Sequence, residues 1–95
     1  MTQRNRGLKV YLRSDKTGVS ILERKRILAG LSTSGLANMA GVSRNSVWRI
    51  EGNHHSGAIR PDTAFKIVRA LSDCLKALGD KGCSFDTLFE LKDTH

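Results

Sequence analysis

The sequence predicts an all-α domain of five helices with a short basic N-terminal extension. Three observations carry that expectation. Between residues 20 and 52, three short segments each open on a serine and close on or beside a glycine (Ser20 to Gly30, Ser32 to Gly41, Ser43 to Gly52). From Ala64 to Leu78, apolar residues recur at steps of three and four, the period of a helix buried along one face. Strand-like alternation stands out only once, in Leu8–Arg13.

Taken in order, residues 1–19 form a basic arm whose island Leu8-Lys9-Val10-Tyr11-Leu12-Arg13 has the period of a short strand. An isolated strand is unstable in water, so it must pair or stay loose. Ser14–Gly18 reads as a turn. Ser20 and Glu23 have the spacing of a capping box, which predicts a first helix over about 21–29. Ser32 predicts a second over Thr33–Ala40, with Gly35 a weak residue in its first turn. Ser43 predicts a third ending near Glu51. Pro61 and Asp62 suit a first helical turn, and the apolar stripe Ala64, Val68, Leu71, Leu75, Leu78 runs from there to Gly79. Ser84 is the expected cap of a final short helix, Phe85–Leu91. The globular domain thus spans 20–91, with 92–95 as a tail.

Ninety-five residues leave room for one core. Sixteen Lys and Arg against nine Asp and Glu give a net charge of +7, spread unevenly. Residues 1–30 carry +6, residues 31–70 carry +3, and residues 71–95 carry −2. A basic front with an acidic end fits a polyanionic partner on one face, nucleic acid before anionic membrane. No apolar run approaches the roughly 18 residues of a bilayer span, and a cytoplasmic, nucleoid-associated protein is expected. Cys74 and Cys83 are too few and too widely spaced for a disulfide framework or a zinc site, so two free thiols, no metal and no cofactor are expected. No serine, cysteine or carboxylate stands with partners in a nucleophile or acid–base arrangement, so no enzymatic activity is expected.

The informative stretch is Thr33–Gly52. Two short helices joined by a tight glycine turn must cross steeply. Ala37 is small where they approach, and Gly41 can adopt the positive φ that other residues resist. Leu36, Ala40, Val42, Val47 and Ile50 can turn inward, leaving Arg44, Asn45, Trp48 and Arg49 outward, a set of donors and an aromatic suited to a major groove. A merely solvated helix face and, for Trp48, a place in the core are the plainer alternatives.

Here the chain resembles the Cro and phage-repressor type of helix-turn-helix proteins, the XRE-like family. The resemblance rests on Arg26–Ser32, Leu36-Ala37, Ala40-Gly41-Val42-Ser43, Ile50-Glu51-Gly52, Arg60-Pro61, Ile67–Leu71 and Gly82–Phe89, and covers residues 20–91. It implies a five-helix, lambda-repressor-like DNA-binding domain. It also implies base contacts from Arg44, Asn45 and Arg49, and backbone or mixed contacts from Thr33, Ser43, Ser46, Trp48, Asn53, His54, Arg60 and Arg26. Ala37, Gly41 and Glu51 take structural roles, Glu51 tying the third helix to Arg26 of the first. Gly35, the long Gly52–Pro61 loop and some ten extra residues at Ser72–Lys81 depart from the family pattern.

The expected function is a sequence-specific double-stranded-DNA-binding regulator, a homodimeric repressor of phage or mobile-element type acting on a palindromic operator. The expected dimer surface is Leu75, Leu78, Phe85, Leu88 and Phe89, apolar residues that exceed what one small core is expected to hide. The alternative is an antitoxin or adaptor that binds a partner protein through its C-terminal region. For the arm, Arg4, Arg6 and Lys9 in a minor groove, Leu8–Arg13 paired with a second subunit, and a loose tail all stay open.

Overall fold

A computed structural model of the chain describes residues 8–52 and 59–93. In order, the elements are strand β1 (Leu8–Leu12), helices α1 (Ile21–Leu28), α2 (Thr33–Ala40), α3 (Arg44–Glu51), α4 (Pro61–Ala77) and α5 (Phe85–Leu88), and strand β2 (Phe89–Asp93). The helices start where side-chain oxygens meet free backbone donors. Ser20 accepts from the Glu23 N–H, Ser32 from Gly35 and Ser43 from Ser46, each near 3.0 Å. α4 opens on Pro61, which needs no N–H partner in a first turn.

α4 is the organising helix. Ala64, Ile67, Val68, Leu71 and Leu75 are buried along one side of it. Against that stripe pack Leu22 of α1, Leu36 and Ala37 of α2, and Leu88 with Phe89 at the end of the chain. Each fully buried leucine or phenylalanine contributes about 1.5–3 kcal/mol, and this single cluster supplies most of what opposes chain entropy. The segment after α4 is pinned at Gly82, whose φ is +88°. A Cβ there would sit 2.6 Å from Ser72 Oγ, and that buried hydroxyl is already held by the Cys83 N–H at 3.1 Å.

The all-α expectation is wrong: β1 and β2 pair as a two-stranded antiparallel sheet, so the domain is mixed α and β. Leu12 stands opposite Phe89, Val10 opposite Leu91 and Leu8 opposite Asp93. The expected last helix, Phe85–Leu91, is a single turn that gives way at Phe89, where the backbone becomes extended (φ −134°, ψ 166°). β1 is part of the domain, with Val10 only 1% exposed in the core and bridged on its other side to Ile59.

The expected dimer surface is corrected by the same finding. Leu75, Leu88 and Phe89 are fully buried in this chain's own core, Phe85 is half-buried against it, and of the five only Leu78 is exposed. The sheet and α5 give those side chains an intramolecular destination. Among the described residues, no helix is long and apolar enough to cross a membrane.

Candidate nucleic-acid interface

α2 and α3 pack on each other, and α2 packs in turn on α4. The turn between them works because Gly41 takes φ +74°. In that left-handed conformation the Val42 N–H reaches Ala37 O (3.0 Å) and the Gly41 N–H reaches Asn38 O (3.3 Å), satisfying the last carbonyls of α2. Ala37 is 1% exposed at this contact. The chain then re-enters a helix at Ser43, whose Oγ accepts the Ser46 N–H and lies 2.8 Å from Ser46 Oγ. Ser43 and Ser46 therefore have structural duties at the start of α3.

With Val47 and Ile50 buried, the rest of α3 has its outward face decided. Arg44, Asn45, Trp48 and Arg49 are all exposed, Trp48 by 55%, so the core alternative for the tryptophan does not hold. Arg44, Asn45 and Trp48 line one open groove with Ser32, Thr33 and Ser34 at the beginning of α2. Sequence reasoning named only Thr33 from that trio for an intermolecular contact. The Ser-Thr-Ser run was the signal that Ser32 and Ser34 share its position.

The groove gathers the N-terminal ends of two helices, where unsatisfied N–H groups and the helix dipole present positive charge. α1, α4 and α5 each carry an acidic residue in the first turn (Glu23, Asp62, Asp86), whereas α2 and α3 carry none. Among the described residues no first-turn carboxylate neutralises those two ends, and Arg44 adds a full charge beside them, with Arg49 exposed in the last turn of α3. Chemically the surface can accept anionic oxygens, donate to planar acceptors through guanidinium and amide groups, and stack or pack through the indole.

α3 is tied to α1 by Arg26 and Glu51. Arg26 Nε donates to Glu51 Oε2 (2.6 Å), Nη2 to Oε1 (3.0 Å), and Nη1 to Leu31 O (2.8 Å). The two side chains are only 14% and 9% exposed, which excludes a loose surface pair. Donating these hydrogen bonds to the Glu51 carboxylate raises the guanidinium's pKa above its already high ordinary value. With three of its five N–H groups committed, Arg26 acts as a brace for α3 and has little left for phosphate.

Arg60 stands at the start of α4, 80% exposed, 3.4 Å from an Asp62 oxygen, and is accessible to an external anion. Asn53 and His54 lie outside the described residues. Cys74 and Cys83 are free thiols, and burial pushes the Cys83 thiol up from its ordinary pKa. The chain matches no family model, and no curated protein or solved structure matches it.

Proposed function

We propose that the chain is a sequence-specific double-stranded-DNA-binding transcriptional regulator of the helix-turn-helix kind, a homodimeric repressor that reads a palindromic operator with α3. The observation that carries this reading is the shared groove. Arg44, Asn45 and Trp48 project from α3 beside the serine- and threonine-rich start of α2, with Arg49 exposed on the same helix. A helix presenting donors and an aromatic fits the major groove, while the start of α2 and Arg60 are suited to flanking phosphates. Arg44 and Arg49 are assigned to base edges, as guanine would offer, Asn45 to an adenine edge, and Thr33 to a phosphate. One good bidentate contact yields about 1–3 kcal/mol of discrimination, so one recognition helix is weak against a genome of competing sites and two are needed.

The test is selection from a random-sequence duplex library, followed by binding of the enriched duplex across a salt series. Six to ten phosphate contacts predict a loss of affinity of ~10³–10⁵ between about 50 and 200 mM salt. Arg49→Ala should relax sequence preference by about 1–3 kcal/mol at one position, whereas Arg60→Ala should weaken all duplexes alike. No enrichment together with flat salt dependence would sink the DNA reading and leave the partner-protein alternative.

A further inference from the structure

We infer that Trp48 is a methyl reader: its indole packs on the C5-methyl group of a pyrimidine, and so fixes one position of each half-site as thymine or 5-methylcytosine. This rests on α3 entering the major groove, as proposed above. It adds a reader whose chemistry differs from that of Arg44, Asn45 and Arg49.

Of the large apolar side chains that are exposed among the described residues, only Trp48 belongs to α3. Val47 and Ile50 hold the helix to the core by its other side, which keeps the indole outside. Trp48 follows Arg44 by four residues, so the two side chains lie one above the other on the same helical face. Both line the groove with Ser32, Thr33 and Ser34. A surface reached by the Arg44 guanidinium is therefore also met by the indole, about 6 Å further along the helix.

An indole carries one N–H donor and no acceptor, so it lacks the paired groups with which Arg44 and Asn45 can tell base edges apart. What it brings is apolar area. In the major groove the N7, O6 and O4 acceptors and the amino donors are polar, and the thymine C5-methyl is the apolar group. Covering an acceptor or an amino group with the ring face strips its water and returns no hydrogen bond. Covering a methyl group takes apolar surface out of water on both partners. A cytosine methylated at C5 presents the same group, so the two pyrimidines share the chemistry that the ring selects. Successive bases are about 3.4 Å apart along the duplex. The methyl group therefore falls within about two base pairs of the edge that Arg44 reads.

The duplex enriched from the random library is the probe. Each thymine in turn is replaced by deoxyuridine, which removes the C5-methyl and nothing else, and affinity is read by fluorescence anisotropy. In the wild type, one such replacement in each half-site should weaken binding about fourfold, the worth of one buried methyl group. That position should lie within about two base pairs of the one that Arg44→Ala relaxes. Trp48→Ala and Trp48→Gln should remain folded by circular dichroism, bind the duplex, and be indifferent to the same replacement. Cytosine and 5-methylcytosine placed there opposite guanine separate the two sources. The methylated base should bind more tightly than cytosine in the wild type alone, and whichever of it and thymine is tighter is the base that the operator carries.

A flat thymine scan in the wild type, as a ring resting on sugar–phosphate would give, overturns the inference and leaves the DNA reading standing. So does a methyl preference that survives both substitutions. A library without enrichment overturns the two together.

Discussion

At the scale of single residues, Arg26 and Glu51 are the pair whose surroundings matter most. A bidentate guanidinium–carboxylate pair this well covered is costly to break from one side, because the remaining charge keeps its burial and loses its partner. Glu51→Leu or Arg26→Met alone should lower stability by about 3 kcal/mol in urea denaturation. The double variant should cost clearly less than the sum, since it leaves no orphaned charge. Single losses below about 1 kcal/mol would mean the pair behaves as an exposed one. The sequence resemblance suggested this pairing, but not that it consumes Arg26. That followed only from the Leu31 carbonyl, placed by the turn after α1.

At the scale of elements, the turn from β1 to α1 is organised around Asp15. Its Oδ1 accepts from the Thr17 N–H and hydroxyl and the Val19 N–H, and its Oδ2 accepts from Arg24 Nε. The Thr17 hydrogen bond foremost, with Arg24, holds this carboxyl at about 2, against an ordinary 3.8. A depressed folded-state pKa favours the fold wherever the carboxyl is ionised. Its contribution is therefore complete above about pH 4 and fades as the pH falls toward 2. An NMR titration of the Asp15 side chain should give a midpoint near 2, and Thr17→Ala should move it upward. A midpoint at the ordinary value in the intact chain would contradict the turn's geometry.

The helices were the most legible elements, because their ends are written in local chemistry. Ser32, Gly41 and Ser43 bound α2 and α3 where the sequence puts them. β2 was not legible for a physical reason. Phe85, Leu88 and Phe89 have helical spacing, and Phe89-Glu90-Leu91-Lys92 alternates with strand spacing, so a window this short fits both periods. What breaks the tie is pairing with β1, and no local pattern encodes a partner that distant; the Arg13–Glu90 contact spans 77 residues. The site was legible to the same extent: the outward face of α3 follows from Val47 and Ile50, while the grouping of Ser32 and Ser34 with it needed the packing of α2.

At the scale of the whole molecule, the described part of the expected arm, residues 8–19, is not detached from the domain. β1 contributes to the core, so Val10→Ala should lower stability by about 2 kcal/mol, read as a shift of the urea midpoint without loss of cooperativity. A negligible shift would mean that the domain closes without β1. The charge also divides by place. Arg13 is turned toward the chain's acidic end, donating to the Asp86 and Phe89 carbonyls and facing Glu90. Arg24 and Arg26 are likewise paired with Asp15 and Glu51, whereas Arg44 and Arg49 on α3 stay exposed.

The pairing of the first element with the last also sets an order of events during synthesis. The helices rest on contacts close in sequence and can organise as the chain emerges, but closing the sheet must wait for residues 89–93. Until then Val10 lacks its strand partner, and the core lacks Leu88 and Phe89. A half-made chain therefore keeps an open core, and the fold closes only when β2 reaches β1.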